Sequence, residues 1–416
     1  MAKKVRVGII GLGWPGREHL KGYKQGRDAE VVALCDQNGE LATEQAAEHD
    51  VPHIFSDHKQ MFKEIELDAV SVCLPNFLHA PVALDALKAG KHVICEKPPA
   101  LDARQARRMA DTAKKNKLTL MYALCLRFGG QQKLARDYIE QGELGEIYYG
   151  RAVYHRRRGI PTGVGSWFVD KKRSGGGALI DIGVHALDST WWLMGTPKPV
   201  SVSGSVFQQF KRVLPKAAQA HFSVDDSAFA HIKFANGAAL HLECSWALNL
   251  PGGSALQIAG TKGGLELHPL RIYSERKGVQ FDTTPEVPNA DMFAGQTGHF
   301  VECIQKRKTP LMSGEQGVQL MQMLDAIYKS AATGKEVKIS KFKKNAICGT
   351  YLRPRALNAM RVDPVSIRIP PLRREAHLTG ARLSPLSFAL SAKSPRLSHT
   401  QPLVCRTRTR MCARLA

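Results

Sequence analysis

Lys97 stands in "VICEKPPA", directly after an apolar run and before two prolines, a pattern that predicts a lysine at the end of a β-strand. In an open parallel sheet ligands collect outside the carboxyl ends of the strands, so such a lysine faces a crevice. A second reactive grouping is "SGGGALIDIGVHALD". If a helix begins near Ile180, then Asp181, His185 and Asp188 fall at i, i+4 and i+7, on one face. Gly175, Gly176 and Gly177 let the preceding backbone press against a ligand. An ammonium can polarise an oxygen, and an imidazole can take up a proton near neutral pH. Each residue also has a plainer reading. Asp181 could favour a helix N-terminus electrostatically, and His185 could be a satisfied core histidine.

Upstream, "GLGWPG" sets Gly11, Gly13 and Gly16 in G-x-G-x-x-G spacing between a strand pattern and a helical one. The first glycine permits a tight turn, the second lets a pyrophosphate approach the backbone, and the third lets helix and strand pack closely. Trp14 and Pro15 open the helix, Pro15 at a first-turn position where its missing N–H costs least. The helix N-terminus offers amides and a positive dipole end to phosphate. Twenty residues after Gly16, "VVALCD" ends in Asp36, placed to accept hydrogen bonds from ribose hydroxyls. A carboxylate there repels a 2′-phosphate, which favours NAD while leaving NADP open. Pro75, Asn76 and His79 in "CLPNFLHA" end the next strand, and Glu96 precedes Lys97 at another. All four are candidate cofactor contacts. Pro75-Asn76 could equally be an ordinary turn, and His79 a helix-start cap or a packed histidine.

These positions require a parallel α/β unit to hold them. Apolar runs at 5–10, 31–34, 69–74 and 92–95 alternate with helical-period stretches such as 40–49 and 80–89. We assign residues 1–124 to a Rossmann dinucleotide-binding domain. From about residue 146 longer alternating segments take over, and "FANGAAL" carries an Asn236-Gly237 hairpin signal. Residues 125–340 are accordingly expected to form an α+β domain with a mostly antiparallel open sheet. Two helical stretches interrupt it, near 180–194 and 315–333, the second stopping at Gly334.

With 44% hydrophobic residues the 416-residue chain has ample material for a packed core. Its net charge of +22 would ordinarily suggest a nucleic-acid partner. The distribution argues against one, because residues 341–416 hold 4 Lys and 12 Arg against Asp363 and Glu375. That segment also has seven prolines and no sustained amphipathic pattern, which predicts a disordered basic tail. The nine cysteines show no paired metal-ligand spacing, so neither a metal site nor disulfides are expected. "MAKKVRVGII" runs straight into a strand pattern without a leader, and no apolar run approaches the roughly 18 residues that span a bilayer. The expectation is a cytoplasmic protein with no membrane partner.

Taken together, the glycine fingerprint, "GKHVICEKPPALD", "QGELGEI", "GGGALIDIGVHALD" and "AIYKSAATGKEV" resemble the Gfo/Idh/MocA family, named for glucose-fructose oxidoreductase and inositol dehydrogenase. The resemblance covers roughly residues 4–340. It implies an NAD(P)-dependent oxidoreductase moving a hydride between nicotinamide and a secondary hydroxyl or ketone of a sugar, glycoside or inositol-like substrate. It also implies that Lys97, Asp181 and His185 surround the reacting carbon. His185 is assigned as base and Lys97 could share the proton transfer, the sequence leaving open which of the two is the base. Asp181 would orient substrate or lysine. In "YHRRRGIPTGVGSWFVDKKRSGGG" we single out Arg157 and Trp167 as substrate contacts, with Arg127 in "LCLRF" as another. A solvated basic face is the plain alternative for the arginine run, and ordinary core for Trp167. An open sheet face implies a homodimer or homotetramer. Two other functions fit the same motifs: a glycoside hydrolase whose retained NAD transiently oxidises the sugar, and a non-catalytic dinucleotide sensor.

Overall fold

The computed structural model describes residues 3–340, so the expected tail over 341–416 lies outside the described residues. Among the described residues, six strands form one wholly parallel sheet: β1 (Val5–Ile10), β2 (Ala29–Cys35), β3 (His53–Phe55), β4 (Ala69–Val72), β5 (His92–Glu96) and β6 (Leu120–Ala123). Their spatial order is β3-β2-β1-β4-β5-β6. This is the Rossmann order, whose reversal point between β1 and β4 opens a crevice at the strand ends. Strands β1, β2, β4 and β5 read as continuous apolar runs because helices cover both sides of the sheet. The short edge strand β3 carries too little apolar sequence to stand out from its surroundings.

A second sheet has nine strands: β7 (Ile147–His155), β8 (Pro199–Phe207), β9 (Ser227–Phe234), β10 (Ala239–Ser245), β11 (Gly253–Gly260), β12 (Gly263–Leu267), β13 (Arg271–Arg276), β14 (Val279–Thr283) and β15 (Val337–Lys338). The order is β14-β13-β12-β11-β7-β10-β9-β8-β15. All neighbours are antiparallel except β7 and β10. The hairpin at Asn236-Gly237 joins β9 to β10, with Gly237 at φ +87°. One face buries Ala152, Ile232, Leu240, Leu242, Leu256 and Ile258. Helix Val184–Leu193 lies on that face and is buried on nearly every side. Period-2 alternation therefore marks the strands, whereas the helix beneath them shows no amphipathic stripe.

Helix Gly314–Thr333 packs on β8 and on helix Ala103–Lys115. It starts in a capping box, Ser313 with Gln316, and stops at left-handed Gly334. Helix Met292–Lys306 had no counterpart in the sequence reading. It packs on helix Trp14–Gln25 and places Phe300 and Val301 in the core around β1. Among the described residues no helix is long and apolar enough to cross a membrane.

Candidate active site

The carboxyl ends of β1, β2, β4, β5 and β6 open into one cavity of about 1260 Å³. That exceeds the roughly 300–1,000 Å³ of ordinary small-ligand pockets. Gly11, Gly13, Trp14, Pro15, Asp36, Pro75, Asn76, Glu96, Lys97, Trp167, Asp181 and His185 all line it.

At the β1 end, Gly11 has φ +90°, and a Cβ there would run into the Cys73 carbonyl. No other residue type fits that turn. Gly13 faces open space, its nearest neighbour being the Pro15 ring at 3.9 Å, so the backbone before helix Trp14–Gln25 is bare toward the cavity. Gly16 lies off the cavity, packed on the Gly11 carbonyl, and serves the helix–strand contact instead. Asp36 accepts hydrogen bonds from the N–H of Leu12 (2.6 Å) and of Asn38 (2.8 Å). A carboxylate has about four acceptor positions, so two remain for ribose hydroxyls. Bare amides at a helix start and a fixed carboxylate beyond them fit a dinucleotide.

His79 departs from its expected role. Its ring is fully buried, with Nδ1 2.8 Å from the Pro98 carbonyl and Nε2 2.7 Å from that of Leu74. It ties the loop after β4 to the loop after β5 and does not reach the cavity. Asn76 performs a similar task on the cavity wall, donating from Nδ2 to the Ser174 carbonyl at 2.8 Å.

Across the crevice the chain over Leu179–Gly183 makes a π-helical turn before helix Val184–Leu193 begins. Such wider turns recur at functional sites because they re-aim side chains. Asp181 and His185 face the cavity, but Asp188 does not share their face as regular helical spacing predicts. It turns into the core and pairs with Arg127, which donates to it from Nε (2.9 Å) and Nη2 (2.6 Å). The expected substrate contact at Arg127 is therefore corrected. Its guanidinium is completely buried and also donates to the Leu311 carbonyl and to Gln316. Arg157 is corrected likewise, since it is exposed and off the cavity wall.

Lys97 and Asp181 meet on the cavity wall. Lys97 Nζ donates to Asp181 Oδ1 (3.1 Å) and to the Asp181 carbonyl (2.9 Å). An ammonium has three N–H bonds, so one remains for a ligand oxygen. Burial would raise the Asp181 pKa, but Lys97, the Trp246 N–H and His185 outweigh it and hold the carboxyl below its ordinary value. His185 is pushed down to about 3, by burial first and then by the Lys97 charge. Among the described residues its buried Nδ1 has no hydrogen-bond partner. Glu96 accepts from the Lys97 N–H at 3.1 Å and lies 3.2 Å from His19 Nε2.

Several supporting residues carry no sequence signal. Asp225 accepts from the N–H of Gly177 (2.7 Å) and Leu179 (2.9 Å), while the Tyr328 hydroxyl donates to it at 2.7 Å. A Cβ on Gly177 would strike the Asp225 carbonyl, so this close approach requires glycine. These partners come from 48 and 103 residues away from their contacts, beyond any periodic pattern. Trp167 and Phe168 form an aromatic wall, edge to face at 5.1 Å, with Tyr154 also on the cavity.

A Rossmann crevice joined to a lysine–aspartate–histidine cluster defines a dinucleotide-dependent oxidoreductase. Residues 5–124 match the oxidoreductase family with NAD-binding Rossmann fold, and residues 133–266 match the GFO/IDH/MocA C-terminal domain. The chain belongs to the Gfo/Idh/MocA family of NAD(P)-dependent oxidoreductases. It is 36% identical over 350 residues to D-glucoside 3-dehydrogenase of Escherichia coli (strain K12), a match covering 80% of this chain and 97% of that protein. Levoglucosan dehydrogenase of Pseudarthrobacter phenanthrenivorans is 30% identical over 287 residues, covering 63% of this chain and 73% of the other. Among solved structures, levoglucosan dehydrogenase in complex with NADH and levoglucosan superposes with a TM-score of 0.73 at 25% identity, covering 82% of this chain and all of that one.

Proposed function

We propose that the protein is a sugar dehydrogenase that oxidises a secondary hydroxyl of a glycoside or related polyol, or reduces the corresponding ketone. The observation that carries this reading is the position of Lys97. Its ammonium lies where the cofactor crevice, Asp181, His185 and the Trp167–Phe168 wall meet in one cavity. Aromatic faces suit the apolar face of a sugar ring, and the similarity to a glucoside 3-dehydrogenase supports the same substrate class.

Bound NAD(P) supplies the hydride acceptor or donor. Lys97 gives its remaining N–H to the substrate oxygen, and neutral His185 accepts the hydroxyl proton as hydride leaves the carbon. Burial and the Lys97 charge make that imidazole a weak base in the free enzyme. Negative charge growing on the substrate oxygen offsets both effects as the proton moves. Asp181 holds the ammonium in place. We assign residues 1–124 to cofactor binding and 125–340 to substrate binding. We also propose a cytoplasmic homodimer or homotetramer, in which a second copy covers the open face of the nine-stranded sheet, where Phe207 is exposed.

The test is turnover of a panel of glycosides and inositols by Lys97→Ala and His185→Ala, with NADH binding followed by fluorescence. The reading expects losses of about 10²- to 10⁴-fold with cofactor binding retained. Near-normal rates in both variants would overturn it.

A further inference from the structure

We propose that Trp246 is a positioning residue for the reaction, its indole N–H fixing the Asp181 carboxylate so that Lys97 is aimed at the substrate oxygen. The inference rests on the reading of Lys97, Asp181 and His185 given above. Trp246 follows β10, 65 residues from Asp181, and its ring is completely buried. Its polar atom, Nε1, donates to Asp181 Oδ2 at 2.9 Å, while Oδ1 of the same carboxylate accepts from Lys97.

A carboxylate held at one oxygen can rotate about its Cβ–Cγ bond. Held at both, it has one orientation, and the ammonium bonded to it has one position. The backbone that carries the indole is anchored. The Trp246 backbone N–H donates to the Asp226 carbonyl at 2.8 Å, and Ser245 Oγ accepts from the Ala247 backbone N–H at 3.0 Å. Phe168 stacks on the indole, with centroids 6.0 Å apart and planes inclined by 25°. Phe168 lines the cavity, so one aromatic stack connects the substrate wall to the donor that sets Asp181. The titratable groups facing Asp181 are Lys97, His185 and Cys244. Burial raises the Cys244 thiol well above its ordinary value, which leaves it neutral.

Trp246→Phe keeps the stack and removes the donor. Losing one charge-assisted hydrogen bond is expected to lower kcat about tenfold, with KM for sugar and for NAD unchanged. Without the N–H, the Asp181 pKa rises toward its ordinary range, so the acid limb of the kcat profile moves to higher pH. A purely structural role would not move that limb. Wild-type kcat with an unshifted profile would overturn the proposal, as would a raised sugar KM at unchanged kcat. Should the Phe variant not fold, Trp246→Met, which also lacks a donor, is measured in the same way. Lys97→Ala run alongside separates the two claims. An active Lys97→Ala sinks the catalytic reading itself, whereas an inactive one beside a wild-type-like Trp246→Phe sinks only the role of Trp246.

Discussion

His19 and Glu96 stand 77 residues apart in the chain, yet imidazole Nε2 and carboxylate Oε1 are 3.2 Å apart beneath the cofactor cavity. The same imidazole reaches Ser71 Oγ through Nδ1 (3.1 Å), and Gln296 Nε2 sits 3.1 Å from Nε2. Helix Met292–Lys306 thereby joins the polar layer that holds the backbone of Lys97 through Glu96.

Burial alone would raise the Glu96 pKa, but His19 and Lys97 keep it below the ordinary value. A carboxylate depressed in the folded state contributes stability above its unfolded pKa and loses it as pH falls through the folded one. His19→Ala removes the main stabilising partner. It is expected to cost about 1.5–3 kcal/mol at neutral pH, with a smaller loss below about pH 4. Urea denaturation at both pH values checks this, and equal losses would contradict it.

The Arg127–Asp188 pair predicts a defect of stability rather than of substrate binding. Truncating one partner leaves a buried charge alone, so Arg127→Ala is expected to destabilise by about 3–5 kcal/mol. Its sugar KM should match the wild type in whatever fraction folds. A large rise in KM without loss of stability would restore the substrate-contact role.

The place of Asp36 on the cavity wall predicts a role in cofactor choice. In Asp36→Ser, kcat/KM for NAD should fall by about tenfold or more through lost hydrogen bonds to a charged acceptor, while the value for NADP holds or rises. Steady-state kinetics with both cofactors read the ratio. An unchanged ratio would remove Asp36 from ribose recognition.

His185 predicts acid lability. Its pKa of about 3 when folded lies below the usual value of about 6.5, so the unfolded chain binds more protons as pH falls. The contribution is present in full above the unfolded value and declines through the window between the two. The slope is at most about 1.4 kcal/mol per pH unit. His185→Asn should lose less stability than wild type between pH 7 and pH 5. Parallel curves for the two proteins would refute it.

The amino-acid pattern was enough to read the parallel sheet, the glycine turn, Asp36 and the lysine at the end of β5, because each depends on local period or spacing. It also determined that Asp181 and His185 lie one helical turn apart. Tertiary structure alone decided which of the polar residues face the cavity. Asp188 turns into the core, and Arg127 is withdrawn there to pair with it. His79 is consumed by two backbone carbonyls. Trp246, Asp225 and Tyr328 support the site only because folding brings distant segments together. Hydrogen-bond geometry across such distances leaves no trace in local spacing, so only the packed chain shows which indole holds the carboxylate beside Lys97.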